Sequence, residues 1–321
     1  MAEIIRLDEY DKKLLYELDK DAHTSISKLA DKMKKSKQFV EYRIKKLEEN
    51  RVITGYNVII DASKLGFFTY RIYFKFQQTT KKDEESIIDF LKKYENIWSI
   101  AKLYGKWDCA FFIGVKTTKE FHDVWDELML RYKKIIKNYN VSVYAPVTNF
   151  NRTFFSEKKL EKIERIYGDG EKAGYDEKDF KIIKEYSNNA RMPLIRLAEK
   201  LRLSLNTIRY RINAMEKNGI IKGYKLNLNL EPLGFEGYRV DLHLISTKRN
   251  KEIYNYCRNN KNIYQIMGSI GGADFEMSVI VKDLYELTKL MDELKEEFKE
   301  VINDYEYFGF STIPKLSFVP D

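Results

Sequence analysis

Apolar residues first recur at spacings of three and four, then alternate, and later in the chain both patterns return. Leu14, Leu15 and Leu18 mark one face of a helix beginning near Asp8. Ser25 or Ser27 is placed to cap a short helix carrying Ile26, Leu29, Ala30 and Met33, and Ser36 to cap a third with Val40, Ile44 and Leu47 inward. Val52–Tyr56 is β-rich around a central glycine and predicts a short hairpin. Alternation takes over at Tyr70, Ile72, Phe74 and Phe76. A helix follows (Ile87, Ile88, Leu91), then strands Ile97–Leu103 and Ala110–Val115 about a tight turn. A second helix (Phe121, Val124, Leu128) leads to a last strand, Val141–Val147. Three helices and a hairpin form the winged helix-turn-helix pattern, and βαββαβ is the split sandwich with helices on one sheet face. The other face carries Tyr73, Trp98 and Tyr144, and such an apolar face marks a subunit or domain contact.

The same text is written twice. At an offset of 168, Leu29–Ala30 reappears as Leu197–Ala198, Tyr42–Ile44 as Tyr210–Ile212, Gly55–Tyr56 as Gly223–Tyr224, and Tyr70–Arg71 as Tyr238–Arg239. Beyond residue 80 the offset becomes 166, and Gly105 and Asp108 match Gly271 and Asp274. The second copy repeats the helical stripes (Ile182, Ile183; Leu194, Leu197, Leu201; Ile208, Ile212, Met215 after Ser204) and the alternation (Val240, Leu242, Leu244). A duplicated unit of this length suits tandem domains and not a solenoid. The fold class expected is α+β, two winged helix-turn-helix domains each followed by a ferredoxin-like βαββαβ domain. The expected boundaries are 1–60, 61–150, a linker 151–175, 176–228 and 229–321. The linker has a polar run from Glu157 to Ile166 that predicts a helical piece, then flexible glycines.

Two winged helix-turn-helix units, each followed by βαββαβ, resemble the Lrp/AsnC family of feast/famine transcription regulators. The likeness rests on the Leu-Ala of the second helix, the Ser-capped third helix with Arg-Ile, the Ile-x-Gly-Tyr segment and the Gly-x-x-Asp hairpin. It departs at Lys34 and Arg202, where the family has a turn glycine, and at Arg51, where the second copy keeps Gly219. The resemblance implies double-stranded DNA as partner, a small effector, often an amino acid, and pairing of the sensor sheets as an intramolecular pseudo-dimer or a homo-oligomer. It also places the effector at Gly105, Asp108, Gly271 and Asp274; the plainer role of these residues is to form and brace a tight turn.

Charge supports the DNA expectation. The chain of 321 residues carries +8, yet Lys32–Lys46 alone holds seven basic residues against one acid, and Lys200–Ala214 four against none. The excess is thus focused on the two turn-plus-third-helix segments. Removing the inward stripe leaves Lys37, Gln38, Tyr42 and Lys45 outward in copy one, preceded by Lys34, Lys35 and Ser36. Copy two presents Leu205, Asn206, Arg209, Tyr210 and Asn213, preceded by Arg202 and Ser204. Asn and Gln pair bidentately with adenine, whereas Lys favours guanine or phosphate, so the two readers should prefer different half-sites. Arg43 and Arg211 suit either phosphate or an ion pair with an acid such as Glu41 or Glu48.

Other classes recede. Two cysteines and three histidines build neither a disulfide framework nor a four-ligand zinc site, and no metal or cofactor is expected. No run approaches the roughly 18 apolar residues of a membrane span, and no signal-peptide profile opens the chain, so a soluble cytoplasmic protein without a membrane partner is expected. The competing class is an enzyme: siroheme decarboxylases resemble this plan and occur as paired or fused units. Their histidine-bearing second sensor strand corresponds here to Ile97–Leu103 and Ile263–Ser269, which hold no histidine. A regulator and not an enzyme is the expectation.

Overall fold

The computed structural model describes residues 4–168, 170–317 and 319. The first copy runs α1 (Glu9–Lys20), α2 (Ile26–Met33), α3 (Lys37–Glu49), β1 (Ile53–Ile60), β2 (Phe68–Phe76), α4 (Lys81–Lys92), β3 (Ile97–Gly105), β4 (Cys109–Val115), α5 (Thr118–Tyr132) and β5 (Ile136–Phe150). After β6 (Glu164–Tyr167) the second copy repeats it: α6 (Glu177–Tyr186), α7 (Leu194–Leu201), α8 (Leu205–Lys217), β7 (Ile221–Leu228), β8 (Glu236–Leu244), α9 (Asn250–Asn259), β9 (Ile263–Ile270), β10 (Phe275–Val281), α10 (Leu284–Glu297) and β11 (Ile302–Leu316). Helix starts follow the expected chemistry. Asp8 caps α1 in a reciprocal box with Asp11, as Asp176 caps α6 with Asp179, and of the two candidate serines Ser25 caps α2 while Ser27 lies within it.

The hairpin expected after each third helix is not formed. Instead β1 and β7 pair with each other, antiparallel, from Ile53 opposite Leu228 to Ile60 opposite Ile221. The flanking bonds obey the same two-fold logic. Ala22 N–H donates to Tyr224 O at 3.3 Å and Ala190 N–H to Tyr56 O at 2.7 Å; Asp61 N–H donates to Ile220 O at 2.8 Å and Asn229 N–H to Val52 O at 3.0 Å. Each strand finds its edge partner in the other copy, so no returning strand is needed to satisfy its backbone. One continuous core therefore serves both helix-turn-helix units, with Leu14, Leu18, Ile44 and Val58 packed in the same cluster as Ile182, Ile212 and Leu226.

The sensor units are exchanged in the same manner. Strand order is β5-β2-β4-β3 in one and β11-β8-β10-β9 in the other, but each long last strand serves both sheets. The first half of β5 pairs with β2 and its second half with β9, crossing over at Val143, which faces both Tyr70 and Ile270. Likewise β11 passes from β8 to β3, with Gly309 opposite both Tyr238 and Tyr104. The eight strands close into a ring with the helices outside. The aromatic faces meet inside as expected: Tyr73 and Trp98 are buried and Tyr144 half-buried, with Tyr73 lying 5.0 Å from Phe308 of the other copy.

That interior also holds charge. Arg71 forms a bidentate pair with Glu276, both contacts 2.6 Å and both side chains 1% exposed, while Arg239 lies 3.6 Å from the same carboxylate. The Arg71 guanidinium is sandwiched between Tyr73 and Tyr144, 4.9 and 5.1 Å from their ring centres. Burial alone would raise the Glu276 carboxyl, but its bonds to Arg71 and the charges of Arg239 and Arg71 hold it down to about 2.

The segment 151–175 is not a flexible linker with a helical piece. Glu157–Ile166 contains no helix, and its end forms β6, which pairs with β5 from Val147 opposite Tyr167 to Phe150 opposite Glu164. Long cations fix it. Arg152 grips the Asp19 carboxylate at 2.5 and 3.1 Å, Arg165 donates to Asp19 O at 2.9 Å, and Lys162 donates to Ile263 O at 2.5 Å. Its own Phe154 and Phe155 are buried in the helix-turn-helix core.

Candidate nucleic-acid interface

Each copy presents a turn and a helix outward. Lys34 and Arg202 cap α2 and α7 in the left-handed region, at φ 53° and 54°. The chain thus takes the glycine conformation without glycine, and the capping N–H of each still bonds back to its helix. Arg51 does the same at φ 54° where the second copy has Gly219 at φ 74°. Ser36 accepts from Phe39 N–H and Ser204 from Thr207 N–H, both at 3.1 Å, which sets the start of α3 and of α8.

With those helices fixed, the outward residues fall where their spacing placed them. Lys34, Lys35, Ser36, Lys37, Gln38, Tyr42 and Lys45 are exposed in copy one, and Arg202, Ser204, Asn206, Arg209, Tyr210 and Asn213 in copy two. Tyr42 and Tyr210 are 62% and 74% exposed, too open for core residues and well placed to meet a partner. Not every cation is free. Lys32 pairs with Glu17 and Lys200 with Glu185 across the helix-turn-helix, Lys45 lies 3.7 Å from Glu49, and Lys35 sits 4.8 Å above the Tyr10 ring. Among the described residues Lys34, Lys37, Arg202 and Arg209 have no acidic partner, and these carry the outward charge.

Arg43 and Arg211 are not free to reach phosphate. Arg43 bonds Asp8 at 2.6 Å and Asp11 at 3.1 Å; Arg211 bonds Asp176 at 2.8 Å and Asp179 at 2.7 Å. Their acids are the capping residues of α1 and α6, and not Glu41 or Glu48. A helix running in at the right angle brings its capping acids onto the third helix, which the local sequence does not reveal. The Asp179 N–H, then Arg211, hold the Asp176 carboxyl below its ordinary range.

The Gly-x-x-Asp hairpins take the turn-bracing role. Gly105 and Gly271 lie at φ 99° and 88°, a conformation that favours glycine. Asp108 accepts from Phe76 N–H and from Lys75 Nζ, both at 2.8 Å, and Asp274 accepts from Leu244 N–H at 2.8 Å. Each carboxylate ties its hairpin to the neighbouring strand. Histidines do not assemble: His23 stacks near Tyr224, His122 faces Asp126 on α5, and His243 meets Glu306 at 2.7 Å. No group of three or more metal-ligating side chains is poised for an ion among the described residues, and no described helix is long and apolar enough to cross a membrane.

Sequence reading missed the buried pair at the centre of the ring. Arg71 and Arg239 stood out as a repeated Tyr-Arg, yet only the structure brings Glu276 to them. It also missed Lys172 and Lys225, which flank a cavity that no single segment outlines.

The profile of the winged helix-turn-helix DNA-binding family matches residues 7–54 and 175–222, one match in each copy. An uncharacterised HTH-type transcriptional regulator of Pyrococcus furiosus is 33% identical over 134 residues, covering 41% of this chain and 82% of the relative. LrpB of Bacillus subtilis is 26% identical over 153 residues, covering 44% and 99%, and the regulatory protein AsnC of Haemophilus influenzae is 27% identical over 118 residues, covering 37% and 78%. Each of these alignments is about one copy long. The crystal structure of the siroheme decarboxylase NirDL superimposes over both copies, 97% of this chain and 94% of that one, with a TM-score of 0.64 at 15% identity, a likeness of fold alone. The α+β architecture, the matches in both copies and these relatives lead to one assignment: the chain belongs to the Lrp/AsnC family of transcriptional regulators and carries that family's unit in tandem.

Proposed function

We propose that this protein is a sequence-specific DNA-binding regulator that reads unlike half-sites with two different recognition helices held in one polypeptide. The observation that carries this reading is the pair of outward faces on α3 and α8, each with unpaired cations and exposed amides or tyrosine, mounted on a shared core through β1 and β7. Lys37 and Gln38 face outward in copy one, whereas Leu205 is half-buried and Asn206 exposed at the same places in copy two. Side chains that differ so in donors and acceptors favour different base edges. Selection from random duplexes tests it. The expected product has dissimilar half-sites centred one or two helical turns apart, about 34 Å per turn. Recovery of a perfect palindrome, with the α8 face dispensable, overturns it.

The likeness to NirDL across both copies supports a second reading, a tetrapyrrole-processing enzyme. Against it, the three histidines each contact a different partner, Tyr224, Asp126 and Glu306, and β3 and β9 hold none. Titration with an iron tetrapyrrole separates the two: an enzyme of that kind shifts the absorbance of the added ring system, whereas the regulator proposed above leaves it unchanged.

A further inference from the structure

Between the first helix-turn-helix unit, the first sensor sheet and the segment after β6 lies a cavity of about 730 Å³. That is in the range occupied by drug-sized ligands and far more than one amino acid fills. Trp98, Phe112 and Tyr144 form an apolar wall, and Lys172 and Lys225 are the cations on it; no acidic side chain is present among the described lining residues. At the cavity, Phe68, Ile270 and Leu316 converge from three separate strands while remaining 58%, 76% and 47% exposed. Large apolar side chains left open around a concavity mark a place that something apolar covers.

Divergence between the copies points the same way. At the offset of 166, Trp98, Ser99 and Phe112 correspond to Tyr264, Gln265 and Ser278. In copy two Gln265 donates to the Tyr167 hydroxyl at 3.0 Å and Ser278 to Gln265 at 3.5 Å, so that wall is polar and already joined to β6. The shared fold thus does not require the apolar wall that copy one has.

We propose that this cavity binds a large, mostly apolar carboxylic acid, its body against Trp98, Phe112 and Tyr144 and its carboxylate toward Lys172. Its walls belong to both the DNA-binding body and the sensor ring, since Ser63 follows β1 whereas Trp98 lies on β3. A bound acid therefore bridges the two.

The test uses the full chain with 1-anilinonaphthalene-8-sulfonate as fluorescent occupant and dodecanoate, dodecan-1-ol and leucine as competitors. Dodecanoate is expected to displace the dye at about tenfold lower concentration than dodecan-1-ol, the value of one charge-assisted hydrogen bond, and leucine not at all. Lys172→Glu, at an exposed position, is expected to remove that preference and leave the alcohol unchanged. Ser99→Trp, which fills the cavity, is expected to weaken both. Equal displacement by acid and alcohol, displacement by leucine, no dye binding, or indifference to Lys172→Glu each overturns the proposal. DNA affinity measured on the same variants without ligand keeps a failure here distinct from a failure of the two-reader function.

Discussion

Single side chains divide into those that face outward from the third helices and those that hold these faces in place. Neutralising Lys34, Lys35 and Lys37 together is expected to weaken binding to all DNA sequences and to lower the slope of log K against log salt by up to about 3. Lys35, lying over Tyr10, is expected to contribute least of the three. Gln38→Ala is expected to behave differently, costing about 1–3 kcal/mol on its preferred half-site and little on random duplex, as binding assays on both would show. Arg43→Ala belongs to the other group. It breaks the contacts to Asp8 and Asp11, so its effect is expected in thermal melting and not in the salt slope. The buried acid is the most sensitive of these. Glu276→Gln leaves Arg71 without its charge partner and is expected to cost about 3–5 kcal/mol in denaturant unfolding. Glu276 is depressed on folding from 4.5 to about 2, so its contribution is present above the ordinary value and lost as pH falls toward about 2. Acid melting of Glu276→Gln is expected to be flatter than that of the unaltered chain across this window.

At the level of helices and strands, what could be read in the sequence was what local spacing controls. The caps at Ser36 and Ser204 and the stripes Val40, Ile44, Leu47 and Ile208, Ile212, Met215 fix the reading helices and their outward faces with little help from the rest of the molecule. The βαββαβ order was legible for the same reason. Partner choice was not. Ile53–Ile60 carries a strand pattern whichever edge it meets, so alternation could not distinguish a hairpin from pairing with Ile221–Leu228. The segment 151–175 escaped because its anchors, Arg152, Lys162 and Arg165, are charged, and a search for apolar stripes does not find cations held by a carboxylate and backbone carbonyls. The arginines of the ring were visible as a repeat, but their acid lies more than two hundred residues from Arg71. Gly223 tests the shared sheet. It sits at φ 141°, and a β-carbon there would stand 3.1 Å from the Arg165 Nε. Gly223→Val is expected to cost about 1–3 kcal/mol. Because β1 and β7 are one sheet, hydrogen exchange is expected to quicken in both strands together, whereas separate wings would confine the change to β7.

Considered whole, one chain pairs its own two copies: both sensor sheets are closed against each other and both helix-turn-helix units share a core. The melting temperature is therefore expected to be independent of protein concentration, unlike that of an obligate two-chain dimer. Fusion also permits asymmetry that a homodimer cannot keep. Glu276 corresponds in the first copy to Ala110, so one carboxylate serves Arg71 and Arg239 from one side only. Two first copies placed face to face would set Arg71 against Arg71 with no acid between them.

The crossed strands have a consequence for a chain still on the ribosome. Strand β1 is finished long before β7, and at about 5–20 residues per second its edge waits roughly ten to thirty seconds for a partner. The second half of β5 waits in the same way for β9. During that interval neighbouring nascent chains on one messenger display identical open edges, the circumstance in which like halves exchange and aggregate. Like-with-like capture through the sensor sheets would bring two Arg71 side chains together without the Glu276 carboxylate, and is expected to be disfavoured for that reason.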